Sequence, residues 1–123
     1  MDMKEILKPS AILICSAVTD RIVGYVLLSY TRQEACMRIA VHPEFQGKGF
    51  GSQLLGEAIK LARERRISSI LLYVATFRIA AIQLYTKHGF TKDKLLSNYY
   101  CSSPSSTTHN GDAYEMRLTL SIE

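Results

Sequence analysis

Cysteine is scarce in this 123-residue chain and badly spaced for any framework. Cys15, Cys36 and Cys101 are an odd number set far apart. That pattern argues against a disulfide scaffold and against a zinc site, and favours a reducing compartment. No apolar run approaches the ~20 residues of a membrane-spanning helix. The opening Met1-Asp2-Met3-Lys4-Glu5 puts an acidic residue where a secretory leader carries its basic region, and no small-residue cleavage site follows. A cytoplasmic protein with no membrane attachment is expected. There is no internal repeat and no Pro/Gly-rich linker, so residues 1–123 read as one domain. Neither sign of charge dominates: 15 Lys and Arg stand against 11 Asp and Glu, a formal net charge of +4. The basic residues are scattered and not interleaved with aromatics, which speaks against a nucleic-acid partner.

What remains is an ordinary globular composition, 47% hydrophobic and 21% charged, with clear periodicities. Ala11 to Val18 and Ile22 to Tyr30 are apolar, β-branched runs about a Thr19-Asp20-Arg21 turn, which predicts an antiparallel hairpin. Ala35 to Val41 is a third strand, stopped at Pro43. Leu54, Leu55, Ala58, Ile59 and Ala62 recur at helical spacing with Gln53, Glu57, Lys60 and Arg63 on the other side. This helix ends near Arg65-Arg66, where positive charge suits the helix dipole. Ser69 to Val74 reads as a buried strand. A second helix follows with Ala81, Leu84 and Tyr85 inward, and Gly89 ends it. Thr91 to Tyr100 and Ala113 to Leu120 are strands about a Ser/Thr-rich loop. In the last of these, Tyr114, Met116, Leu118 and Leu120 alternate with Glu115, Arg117 and Thr119, the cleanest strand signal in the chain. The expected order is β-β-β-α-β-α-β-β, a mixed α/β sheet, mostly antiparallel, with two main helices.

Between the third strand and the first helix lies Glu44–Leu55, EFQGKGFGSQLL, with Gly47, Gly49 and Gly51 at alternate positions. A plain tight turn needs one or two glycines. Three ahead of a helix suggest close backbone approach to a phosphate. A P-loop, G-x-x-x-x-G-K-[ST], fails twice here: its first glycine falls on His42 and its Ser/Thr on Gly49. A dinucleotide fingerprint would put its third glycine at Ser52, and a hairpin stands where a parallel βαβ unit is needed.

Gln46-x-x-Gly49-x-Gly51 resembles the Q/R-x-x-G-x-G/A signature of the GNAT superfamily of acetyl-coenzyme A-dependent N-acetyltransferases. Ala81-x-x-x-Tyr85-x-x-x-Gly89-Phe90 resembles a second block of that family, in the right order and on the right element. The resemblance implies acetyl-coenzyme A as cofactor. It assigns Gln46, Gly47, Lys48, Gly49, Phe50, Gly51 and Ser52 to the pyrophosphate, and a backbone N–H within Ile39, Ala40 and Val41 to the thioester carbonyl oxygen. Arg78 stands where the family carries an asparagine and is a candidate for a coenzyme phosphate. Tyr85 is the implied general acid for the departing thiolate.

The base departs from the family. Its relatives often carry Glu or His in an L-[EH]-V triplet, where this chain has Leu72-Tyr73-Val74. Tyrosine, with a reference pKa of about 10, is a poor base but can orient a water or the amine. Glu34 is the other candidate; strict alternation puts it opposite Ala35, and only a bulge would bring it inward. Asn98-Tyr99-Tyr100 and Asp112-Ala113-Tyr114-Glu115-Met116 resemble protein N-terminal acetyltransferases, in which a tyrosine pair lines the peptide N-terminus. The resemblance therefore implies a protein or peptide α-amine as acceptor, with Tyr99 and Tyr100 beside it. A coenzyme A-binding module with little turnover and a small-molecule amine acetyltransferase are the alternatives. Family members open with a strand and two helices that this sequence lacks. Ile12, Ile14, Val23 and Tyr25 are accordingly expected to lie uncovered, for a second copy or a partner chain to cover.

Overall fold

The computed structural model describes residues 10–97 and 111–120. Its strands are β1 (Ser10–Val18), β2 (Arg21–Thr31), β3 (Glu34–Val41), β4 (Ser69–Ala75), β5 (Thr91–Leu96) and β6 (Ala113–Thr119). Its helices are α1 (Phe50–Glu64) and α2 (Ile79–Lys87), and Pro43–Phe45 form a short 3-10 turn. The eight main elements follow the order that periodicity predicts, with ends differing by a residue or two except in β5, which ends at Leu96, short of the expected Tyr100, a residue outside those described. The strands form one six-stranded sheet in the order β1-β2-β3-β4-β6-β5. β1–β2, β2–β3 and β5–β6 pair antiparallel. No described helix is long and apolar enough to cross a membrane.

By contact the chain divides into two compact units. One runs to Ile70 and takes up Leu120 again; the other is Leu71–Thr119. In the first, α1 packs on β1, β2 and β3. Its apolar stripe buries Leu54, Leu55, Ala58 and Ala62, against a core of Val23, Val26, Leu28, Ala35 and Met37. Burying one such Leu or Val stabilises by about 1.5–3 kcal/mol. Gly24 permits the close packing: a Cβ there would stand 3.0 Å from Leu54 Cδ1 and 3.1 Å from the Ala40 carbonyl oxygen. Arg65 caps α1, its N–H reaching Leu61 O, while its guanidinium donates to the Tyr30 hydroxyl at 2.9 Å.

Of the four hairpin residues expected to lie uncovered, Tyr25 is exposed, Ile12 and Ile14 are half-buried and Val23 is buried. Ile12 pairs across to Leu28 and Ile14 to Val26, and Val26 and Leu28 are fully buried. Tyr25 pairs with Cys15 and so faces the other way. The register shifts between Ser16 and Ala17, leaving Val23 as the extra residue of a bulge. That shift lets Val23 bury beside Gly24 instead of following Tyr25 outward. Leu13, Val18, Ile22 and Tyr25 are the exposed large apolar residues here.

In the second unit Phe90, Met116, Leu72, Val74 and Leu118 form the core. The buried residues of α2 are Ile82 and Tyr85; Ala81 and Leu84 are only half-buried, so the helix is rotated slightly from the predicted face. Gly89, at φ 101, turns the chain out of α2. β6 departs from strict alternation: Ala113, Glu115, Met116 and Leu118 are all buried. A strand between β4 and β5 has neighbours on both edges, and here both faces are covered as well.

Candidate active site

The chain leaves β3, makes the 3-10 turn and enters α1 through the glycines. Gln46 braces this passage, its side-chain amide donating to the Val41 carbonyl at 2.9 Å. The N–H of Glu44 donates to His42 Nδ1 at 3.1 Å. His42, Phe45 and Phe50 form a chain of edge-on ring contacts, and Lys48 lies with its ammonium 5.5 Å from the Phe45 ring centre. Gln46 thus spends its amide on the loop itself, which the motif alone does not reveal.

Gly47 has φ 78 and Gly49 φ 90, a left-handed conformation costly for any side chain-bearing residue. A Cβ on either would meet no atom within 4 Å. Internal packing therefore does not demand glycine at either position; the backbone turn does, and the space before it stays open. Gly49 is the N-cap of α1, so no side chain caps the helix, and no acidic residue occupies its first turn. The first N–H groups of a helix have no intrahelical acceptor, and the dipole makes that end positive. Among the described residues neither a capping side chain nor a first-turn carboxylate answers that positive end, and the space before Gly49 is open. A pyrophosphate fits this cradle.

Ile39, Ala40 and Val41 close β3, opposite Val26, Tyr25 and Gly24 of β2. Glu34 pairs with Thr31 in a β2–β3 register that has no bulge. It is exposed, on the opposite face from buried Ala35, so the inward turn that a catalytic Glu34 requires is absent.

In the second unit, Tyr85 is 8% exposed on α2, its ring tilted against Phe90 with centres 6.0 Å apart. Arg78 is the N-cap residue of α2 and makes no side-chain cap; it is exposed. Tyr73, half-buried on β4, donates its hydroxyl to Glu115 Oε1 at 3.3 Å. The N–H of Thr76 donates to Asp112 O at 3.1 Å, fastening the end of β4 to the start of β6. Glu115 is the one buried charged side chain among the described residues, 9% exposed. Alternation along β6 places it outside, and so passes over it. The available signal is a carboxylate inside a strand that otherwise reads as core. Tyr99 and Tyr100 lie outside the described residues.

A model of the acetyltransferase (GNAT) family matches residues 2–90. The chain belongs to that family. The ribosomal protein bS18-alanine N-acetyltransferase of Salmonella typhimurium is 34% identical over 104 residues, which are 84% of this chain and 68% of that protein. The crystal structure of the ribosomal-protein-S18-alanine N-acetyltransferase from Escherichia coli superposes with a TM-score of 0.82 at 27% identity, covering 92% of this chain and 71% of that one. A Bacillus subtilis acetyltransferase in complex with CoA gives 0.77 at 25% identity, covering 89% and 76%. This GNAT domain is an acetyl-coenzyme A-dependent acetyltransferase.

Proposed function

We propose that the domain, taken as residues 1–123, transfers acetyl to the α-amine of a protein or peptide N-terminus. The observation that carries this reading is the 34% identity over 104 residues with an enzyme named for acetylating an alanine of ribosomal protein bS18. The Asp112-Ala113-Tyr114-x-Met116 strand supports it. A ribosomal-protein acceptor would put the reaction in the cytoplasm.

When bound, acetyl-coenzyme A supplies an activated acetyl thioester. The N–H groups of Gly47 to Ser52 and the positive end of α1 would hold its pyrophosphate, with Lys48 adding positive charge; Arg78 is the residue that the resemblance offers to a coenzyme phosphate. Gln46 acts on the same ligand by bracing the loop. A backbone N–H within Ile39–Val41 donates to the carbonyl oxygen as negative charge grows there. Tyr85 delivers its hydroxyl proton to the leaving sulfur. Tyr99 and Tyr100, outside the described residues, are the acceptor-side residues that the family resemblance implies. Glu34 has no part in this mechanism. An α-amine suits such a site: its reference pKa of about 7.7–8.0 is roughly 2.5 units below that of lysine, so at neutral pH its neutral fraction is ~300-fold larger.

The test is acetyl transfer to paired short peptides, one with a free and one with a formylated N-terminus, each with an internal lysine. Transfer to the free member alone is the expected result. Equal rates on both would refute the reading. Coenzyme binding without transfer to either would favour a coenzyme A-binding module.

A further inference from the structure

Given that reading of the acceptor, one buried group has no assigned task. Glu115 is the one charged side chain buried among the described residues, and burying a carboxylate is costly unless something specific repays it. Its hydrogen-bond donor is the hydroxyl of Tyr73, at 3.3 Å. Tyr73 is the residue that fills the middle of the Leu72-Tyr73-Val74 triplet. Two charged residues of the described strands stand beside Glu115 in the sheet. Lys94 of β5 stands opposite it in register but is exposed. Arg117, two residues along β6, reaches Asp93 of β5 at 3.6 Å.

We propose that Tyr73 and Glu115 together form the proton acceptor of acetyl transfer, Glu115 acting through the Tyr73 hydroxyl. The acceptor N-terminus arrives as an ammonium. Its N–H bond breaks as the Tyr73 oxygen takes the proton, and the Tyr73 O–H bond breaks as Glu115 Oε1 takes that one. The nitrogen keeps the electron pair and becomes a neutral amine. Tyr73 ends as it began, and Glu115 becomes a neutral carboxylic acid, which returns the proton to solvent after turnover. The carboxylate therefore sits one strand over from the triplet, and the tyrosine bridges the gap. Tyr73 is the residue that meets the substrate; Glu115 positions and drives it.

The experiment measures kcat/KM between pH 6 and pH 9 on an N-terminal alanine peptide, for the natural chain, Glu115→Gln, Tyr73→Phe and the double variant. Without the relay, only acceptor molecules already neutral in solution react. At pH 6 these are one or two in a hundred, from a reference pKa of about 7.7–8.0, and at pH 9 nearly all. Each single variant should lose roughly 50- to 100-fold at pH 6 and stay within a few-fold of the natural chain at pH 9. The double variant should lose no more than either single one, because the two residues act as a unit. Acetyl-coenzyme A should raise the melting temperature of each variant as it does that of the natural chain. A loss independent of pH, or additive losses, would make the pair merely structural and overturn the inference while leaving the acceptor reading intact. If Glu115→Gln fails to fold, Tyr73→Phe, which keeps the ring, must still show the pH-dependent loss, and its absence overturns the inference. A natural chain that acetylates no free α-amine would overturn both.

Discussion

Replacing Gly49 by alanine separates the two reasons for a glycine at the head of α1. Gly49 adopts φ 90, and an L-residue pays about 1–2 kcal/mol to stay left-handed. The added methyl would touch nothing within 4 Å, so backbone strain is the whole cost to the fold. For 123 residues a loss of 1 kcal/mol lowers the melting temperature by about 3–5 °C, so Gly49→Ala should melt roughly 3–10 °C below the natural chain. Its effect on the coenzyme is far larger, because the methyl stands in the open space before the helix N–H groups. At a concentration of about 100 Kd, acetyl-coenzyme A should stabilise the natural chain by ~2.7 kcal/mol, an increment of about 8–13 °C. In Gly49→Ala, a hundredfold weaker affinity would leave only ~0.4 kcal/mol of that. Gly24→Ala is the control. Its Cβ would crowd Leu54 and the Ala40 carbonyl, so it should destabilise by about 1–3 kcal/mol yet keep the full coenzyme increment. Thermal melts of the three proteins with and without acetyl-coenzyme A decide the matter. A full increment in Gly49→Ala would refute the cradle.

Tyr85→Phe keeps the ring against Phe90 and removes the proton donor. Turnover should fall about 100-fold, the low end for general acid catalysis because a thiolate leaves readily, with coenzyme affinity within a few-fold by calorimetry. Gln46→Ala removes the 2.9 Å bond to Val41; it should cost up to about 1 kcal/mol of stability and weaken coenzyme binding several-fold, read from the same melts. Leu13, Ile22 and Tyr25 lie exposed on one face of the hairpin. If a second copy covers them, the natural chain should sediment as a dimer at micromolar concentration and Leu13→Glu as a monomer; a natural monomer would count against that covering.

Sequence carried the element order because its periodicities are long. The α1 stripe of Leu54, Leu55, Ala58 and Ala62 and the alternation in β6 each survive small errors at the ends. It carried the glycine loop because Gly47 and Gly49 adopt a conformation few other residues tolerate. It failed where alternation presumes one wet face. Glu115 alternates as a surface residue, yet β6 lies between two strands and is covered on both faces. Val23 should follow Tyr25 outward, yet a bulge turns it in. The role of Gln46 as a brace and the bond from Tyr73 to Glu115 join residues 5 and 42 positions apart, and local pattern holds no record of such pairs.

The central claim is tested most directly by one peptide bearing both a free N-terminal alanine and an internal lysine, incubated with the natural chain and acetyl-coenzyme A, with the acetylated atom located by fragment mass spectrometry. The acetyl group is expected on the α-nitrogen, with the lysine side chain unmodified. Acetyl on the lysine, or on neither amine while coenzyme binding is intact, would contradict the assignment.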